Sequence, residues 1–168
     1  MVEILIFKRT NEIKKALPEL KKRFNLEFSL EGKKLSYSGD SLEEYEASMI
    51  IDAINFGFTA KKALLLTDTE LQFKKINIKD FTRRKNLHEV IARVIGTQGK
   101  TKKTIEQLSE CFLEISEREV GIIGEAEAVE KTTTAITSLI RGSKQANVYA
   151  FLENMNKVKK EEALGLKD

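Results

Sequence analysis

Apolar and polar residues alternate in several short stretches of this 168-residue chain, and between those stretches apolar residues recur every three or four positions. Alternation predicts half-buried strands, whereas the wider spacing predicts amphipathic helices that bury one face. Adjacent strand pairs are predicted at 26–30 with 35–37 and at 113–115 with 120–122. A helix with an apolar face follows each pair, so the pattern predicts a mixed α+β protein.

The two halves of the chain repeat one another at an offset of 85 residues. The apolar helical face at 47–54 returns at 132–139, and a glycine follows each helix. A second pair of glycines closes the strand pair in each half. The matching glycines are Gly57 with Gly142 and Gly39 with Gly124. This self-similarity predicts two copies of one folding unit.

Each half also has a strand and a helix before its strand pair, which gives the order β, α, β, β, α. The second half adds a short helix before its turn, and its amphipathic helix near the end matches residues 63–66 of the first half. The predicted bounds are 2–6 and 11–24 in the first half, and 76–78, 87–93, 100–109 and 148–155 in the second. We therefore expect two tandem units, 1–68 and 70–168, each with a three-stranded antiparallel sheet covered by helices on one face.

Positive charge is concentrated in one segment of the second half. The whole chain has 29 Lys and Arg against 26 Asp and Glu, a formal net charge of +3. Residues 83–103 hold seven basic side chains and one acidic side chain, so the rest of the chain is net negative. Such an excess is typical of a polyanion site, although a solvated basic helix face gives the same pattern.

The composition argues against several other classes of function. One Cys and one His do not supply the three or four ligands of a zinc site, and Cys111 alone forms no intrachain disulfide. No uncharged run approaches the roughly 20 apolar residues that cross a bilayer, and the first residues lack the basic start of an export signal. We expect a cytoplasmic protein with no membrane association, no metal, no cofactor and no catalytic residues.

A turn bracketed by two glycines lies in the basic segment, between two predicted helices. Gly96 and Gly99 enclose Thr97 and Gln98, and Lys100 begins the next helix. Glycines leave no β-carbon on the approaching surface, so a sugar-phosphate backbone is able to reach main-chain N–H groups there. The positive N-terminal end of the following helix adds to the attraction. By itself, G-x-x-G fits a plain helix-helix turn equally well.

Candidate ligand contacts surround this turn and include the basic stretch that precedes it. They comprise the turn itself, cations on either side, and apolar residues that offer a floor for unpaired bases. The predicted contact residues are Arg83, Arg84, Lys85, Arg93, Val94, Ile95, Gly96, Thr97, Gln98, Gly99, Lys100, Lys102 and Lys103. The first half has Lys-Arg-Thr-Asn at 8–11 and no glycine turn, so it is expected to be a degenerate copy.

The second half resembles a type I KH domain over residues 76–141, because G-x-x-G stands between two short helices within the order β, α, α, β, β, α. The resemblance implies a module that binds RNA, less often single-stranded DNA, and clamps about four nucleotides beside the turn. Lys102 departs from the family, which has an apolar residue there. Glu110 stands where a glycine is usual, and a positive φ at Glu110 would cost on the order of 1 kcal/mol.

A longer resemblance covers nearly the whole chain through G-F-T-A-K-K-A-L-L-L at 57–66, R-V-I-G-T-Q-G-K-T-K-K-T-I-E-Q-L at 93–108 and V-Y-A-F-L-E at 148–153. The chain resembles the archaeal counterpart of the eukaryotic partner-of-Nob factor. That resemblance implies a non-enzymatic factor of ribosome biogenesis and rRNA processing, which binds pre-16S rRNA near its 3′ end within the small ribosomal subunit, beside a Nob-type endonuclease. The alternative is a protein-interaction scaffold that keeps the KH fold with little RNA affinity.

Overall fold

The computed structural model describes residues 2–165 and has six strands and seven α-helices within that range. The strands are β1 (Glu3–Ile6), β2 (Glu27–Glu31), β3 (Lys34–Ser38), β4 (Leu71–Asn77), β5 (Phe112–Ile115) and β6 (Glu119–Glu125). The helices are α1 (Asn11–Arg23), α2 (Ser41–Phe56), α3 (Ala60–Ala63), α4 (Leu87–Ile95), α5 (Lys100–Ser109), α6 (Ala126–Arg141) and α7 (Gln145–Ala163). Within 2–165, no helix combines the length and the apolar character that crossing a bilayer requires.

The chain divides into two compact units, with the boundary between Leu71 and Gln72. The first unit contains a three-stranded sheet in the order β1-β3-β2, accompanied by α1, α2 and α3. The second contains a sheet in the order β4-β6-β5, accompanied by α4 to α7. The predicted α+β class, with two three-stranded antiparallel sheets, is confirmed.

A single hydrophobic core holds the second unit together, and every strand and α-helix of that unit contributes to it. Among its buried members are Ile76, Val90, Val94, Ile105, Leu113, Val120, Ile136, Leu139, Val148 and Leu152. Because Val148 and Leu152 come from α7, the last helix is an integral part of the unit. The helices on either side of the glycine turn are therefore fixed by tertiary packing as well as by their own hydrogen bonds.

A glycine lies at the end of the third strand of each unit, and both glycines are required by a similar close contact. A β-carbon added at Gly39 would lie 2.5 Å from Leu26 Cδ2, and one at Gly124 would lie 2.5 Å from Cys111 Sγ. Leu26 and Cys111 are themselves 85 residues apart. The internal repeat therefore preserves a packing contact that leaves little room for a β-carbon.

The alternating residues Val2, Ile4 and Ile6 mark β1 correctly but lie on its exposed face. Phe7, of the opposite parity, is buried with 1% of its surface exposed. Both faces of this segment are apolar, so alternation locates the strand without deciding which face packs inward. A second difference is Ile78, which is buried but begins a 3₁₀ turn after β4 instead of ending the strand.

Glu110 ends α5 in the left-handed conformation, with φ 59° and ψ 27°. Its amide donates to the Glu106 carbonyl oxygen and so closes the last turn of the helix. A residue with a β-carbon is strained in this conformation, whereas glycine adopts it freely. Glu110 therefore has the positive φ for which the sequence analysis expects an energetic cost.

We expect Glu110→Gly to raise the free energy of unfolding by about 0.5–1 kcal/mol, because it removes the strain at this helix end. Chemical denaturation of the full chain measures the change. The matched control is Glu110→Gln, which removes the charge and keeps the β-carbon. Equal stability of the Gly and Gln variants would contradict the strain argument.

Candidate nucleic-acid interface

Four residues, Gly96 to Gly99, connect α4 to α5. Gly96 has φ 77°, Gln98 has φ 55° and Gly99 has φ 75°. A short 3₁₀ turn at Thr97–Gly99 lies inside this segment, and α5 starts directly after it at Lys100. Three positive φ values so close together form a tight concave turn at the positive end of a helix.

The two glycines of the turn serve different purposes. A β-carbon at Gly96 would lie 2.6 Å from the Thr101 amide nitrogen, so Gly96 is needed for the turn to pack against α5. A β-carbon at Gly99 would meet nothing within 4 Å. Gly99 therefore supplies the open approach that a bulky ligand backbone needs, as well as its positive φ.

Two amides of the turn are engaged inside the protein. The Gly96 N–H donates to the Ala92 carbonyl at 2.8 Å, and the Gly99 N–H donates to the Gly96 carbonyl at 3.1 Å. For the N–H groups of Thr97 and Gln98, no acceptor is found among residues 2–165. Both residues are exposed, so these two amides are the loop donors available to an anion.

Cations flank the turn on the α5 side, but not all of them are free. Lys100 and Lys103 are exposed. Lys102 is only 26% exposed at its side chain, and its Nζ lies 3.6 Å from Glu114 Oε1. No acidic residue occupies the first turn of α5. The end of the helix nearest the turn is therefore positive, through its dipole and through Lys100 and Lys103.

The basic stretch Arg83–Lys85 is exposed and precedes α4, whereas the turn follows α4. Nine helical residues separate the two groups, a distance of about 13 Å along the helix axis. Arg84 also lies 3.6 Å from Glu89, in a pair whose side chains are 57% and 67% exposed. The predicted cations thus occupy two places rather than one.

A family model of the second KH domain of PNO1 proteins, described as a eukaryotic type KH-domain (KH-domain type I), matches residues 72–157. This match includes the turn, both flanking helices and the three strands of the second unit. Only the first residue of β4 lies outside it. The chain belongs to the PNO1/Dim2-like family of KH-domain proteins. The second unit is therefore its KH unit, and the predicted family is confirmed.

Two relatives show how far the likeness extends. A KH domain-containing protein of Methanocaldococcus jannaschii is 32% identical over 157 residues, which are 90% of this chain and 68% of the relative. The pre-rRNA-processing protein pno1 of Schizosaccharomyces pombe is 32% identical over 107 residues, 62% of this chain and 44% of the relative. The chain spans about half the length of the eukaryotic PNO1 relatives it matches.

Solved structures agree with this assignment. Dim2p of Pyrococcus horikoshii matches with a TM-score of 0.79 and 26% identity, over 92% of this chain and 99% of that one. The same protein in a complex with a/eIF2alpha and rRNA matches with a TM-score of 0.80 and 26% identity, over 94% of each chain. The likeness to Dim2p thus includes both units.

Two predicted contact residues of the KH unit have structural roles. Val94 is fully buried, so it belongs to the core and not to a surface on which a base lies. Arg93 Nη2 donates to the Ser143 carbonyl at 2.8 Å, which ties α4 to the connection between α6 and α7. Val94 is therefore corrected to a core residue. For Arg93, contact with RNA stays a prediction. In the structure its side chain stabilises the KH unit through the hydrogen bond to Ser143.

Sequence reasoning missed two residues that hold the turn in place. Thr101 is 4% exposed, and its Oγ1 accepts a hydrogen bond from Gln145 Nε2 at 3.1 Å. Gln145 begins α7, so the last helix of the KH unit reaches back to the start of α5. A separation of 44 residues leaves no local signal for this pair.

The candidate catalytic groups of the chain are dispersed. His88 is exposed at the start of α4, where its amide donates to Asn86 Oδ1. Cys111 is 2% exposed and receives a hydrogen bond from Thr132 Oγ1 at 3.4 Å. Among residues 2–165, no group of three or more Cys, His, Asp and Glu side chains is arranged to hold a metal ion.

We expect Cys111 to resist thiol reagents while the protein is folded. Burial raises the pKa of the Cys111 thiol above its usual value, so the thiolate is scarcer at a given pH than in the unfolded chain. Labelling with a chromogenic disulfide reagent at pH 8 measures the rate, and we expect it to be slower by about tenfold or more than in denaturant. A native rate equal to the denatured rate would show that the thiol is accessible.

Proposed function

We propose that this chain binds single-stranded RNA through its KH unit and acts without catalysis in the assembly or processing of the small ribosomal subunit. The observation that carries the proposal is the turn at Thr97–Gly99. Its two amides without an internal acceptor lie at the positive end of α5, next to the exposed Lys100 and Lys103. A phosphate group is a suitable ligand for this combination of N–H donors, helix dipole and cations.

The relatives support rRNA as the RNA that is bound. PNO1 proteins are named RNA-binding and pre-rRNA-processing proteins, and Dim2p has been solved in a complex that contains rRNA. We place the contact near the 3′ end of pre-16S rRNA, with a Nob-type endonuclease as the neighbouring enzyme and the cytoplasm as the location. Crosslinking this chain to cellular RNA and mapping the attached nucleotides tests that placement.

The scaffold alternative assigns protein contacts to the fold and leaves the turn without a ligand. The names of the relatives do not favour it. Protein or ribosome contacts suit the first unit better, because residues 8–11 there contain no glycine. The two alternatives differ in whether substitutions at the turn of the KH unit change RNA affinity.

We expect the double substitution Thr97→Asp with Gln98→Asp to weaken RNA binding by more than about tenfold, because two carboxylates would replace neutral groups beside the bound phosphate. Fluorescence anisotropy with a labelled single-stranded RNA measures the affinity, and circular dichroism checks that the fold is intact. The matched control is Thr97→Asn with Gln98→Asn, which introduces side chains of the same size without charge and should keep most of the affinity.

Salt dependence gives a second measurement on the same proteins. If about three phosphates are neutralised, log K falls against log salt concentration with a slope near −2, from roughly −0.7 per contact with a single strand. We expect a shallower slope for the Asp variant. A flat response of the unmodified chain, together with unchanged affinity of the Asp variant, would support the scaffold alternative.

We expect no RNA cleavage by the chain alone. His88 is on the surface, Cys111 is buried, and the described residues offer no cluster of metal ligands. Incubation of labelled RNA with the protein and Mg²⁺ or Mn²⁺, followed by gel electrophoresis, measures cleavage. Cleavage that rises with the amount of protein and persists through repeated purification would show that the chain is a nuclease.

A further inference from the structure

A carboxylate caps the free edge of the KH sheet beside the candidate RNA surface. β5 lies at the edge of the sheet, in the order β4-β6-β5. The Leu113 amide on β5 donates to Glu106 Oε2 at 3.1 Å. Glu106 is on α5, seven residues after Gly99, which is about 10 Å along the helix axis. An RNA strand of about four nucleotides held at the turn extends that far.

At the edge of β5 near Leu113, the hydrogen-bond acceptor is therefore the carboxylate of Glu106. Leu113 lies opposite Ile122 of β6, yet its N–H points to Glu106 and away from β6. In an antiparallel pair, a residue directs its N–H and its C=O to the same side, so the Leu113 carbonyl also faces the free edge. Leu113 is fully buried, whereas Glu106 is half-buried, so the carboxylate is the acceptor that a ligand meets at this edge.

Building on the proposed RNA binding, we infer that Glu106 selects the base that lies against β5, and that this base is guanine. A carboxylate only accepts hydrogen bonds. Unpaired bases are recognised on their Watson–Crick edges, where guanine alone has two adjacent N–H donors, N1–H and N2–H₂. A carboxylate matches that pair in a bidentate contact.

The other bases fit this edge less well. Adenine and cytosine each place a ring nitrogen acceptor beside their amino group, which would face a carboxylate oxygen. Uracil has one N–H donor between two carbonyl oxygens. Each of these three bases sets at least one acceptor against the carboxylate of Glu106, and an unpaired polar group at a recognition site costs affinity.

Glu114 is a carboxylate on the same strand that serves as a matched control. Its Oε1 already lies 3.6 Å from Lys102 Nζ, and its side chain is 30% exposed. Successive strand residues point to opposite faces of the sheet, so Glu114 and Leu113 do not share a face. Substitution of Glu114 thus removes a nearby negative charge without changing the acceptors at the free edge of β5.

The test measures base preference with the full chain. Fluorescence anisotropy compares oligouridine hexamers that carry one guanine, adenine or cytosine at each position in turn. For the unmodified chain we expect one position at which guanine is favoured by about tenfold or more, the discrimination that one bidentate contact provides. Glu114→Gln should keep this preference.

Two variants of Glu106 change the edge in different ways. Glu106→Gln replaces one acceptor oxygen by an N–H₂ donor and should lose most of the preference for guanine. Glu106→Ala removes both carboxylate oxygens and should likewise lose most of the preference for guanine. Circular dichroism verifies folding, and Glu106→Gln carries the test if the Ala variant unfolds.

The outcomes separate this inference from the function on which it rests. RNA binding without a guanine preference, or a guanine preference retained in both Glu106 variants, overturns the role of Glu106 and leaves RNA binding intact. Absence of any RNA binding by the unmodified chain removes both. Loss of affinity for all hexamers alike in the Gln variant would show a general structural role and would also overturn the inference.

Discussion

The close approach of Gly96 to the start of α5 is the constraint on which the candidate RNA surface depends. A β-carbon there would lie 2.6 Å from the Thr101 amide nitrogen. Thr101 is buried and accepts a hydrogen bond from Gln145, so α7 stabilises the first turn of α5, against which Gly96 packs. Since Gly96 is held by this packing, the amides of the exposed residues Thr97 and Gln98 are fixed in place before any ligand arrives. Such preorganisation reduces the entropy lost on binding.

The net charge of a segment overstates the cations that a ligand meets. Among the seven basic residues at 83–103, Arg93 is bound to the Ser143 carbonyl and Lys102 is next to Glu114. The pair of Arg84 with Glu89 is exposed and long, and such pairs contribute little, so Arg84 is still available to a phosphate. Of the remaining cations, Lys100 and Lys103 are the closest in sequence to the open turn. Recognition near the turn therefore depends on the geometry of backbone donors as much as on charge.

Local pattern was sufficient to predict most of the fold. The bounds of α5 agree with the predicted 100–109, and α2 and α6 match at the offset of 85 residues that the helical faces indicated. The turn was predictable because glycine spacing is a local property. Tertiary contacts were not predictable: the short helix expected at 87–93 did not show that Val94 faces the core, and nothing near Glu106 indicates its bond to Leu113.

The two units differ at the helix end that would receive an anion. In the KH unit, the first turn of α5 has no acidic residue. In the first unit, Glu12 lies in the first turn of α1, and its carboxylate accepts hydrogen bonds from the Ala60 amide at 2.7 Å and from Lys15 Nζ at 3.1 Å. These contacts lower the pKa of Glu12 below its usual value, so it stays ionised at neutral pH. The positive end of α1 is therefore already compensated within the protein, whereas that of α5 is left for a ligand.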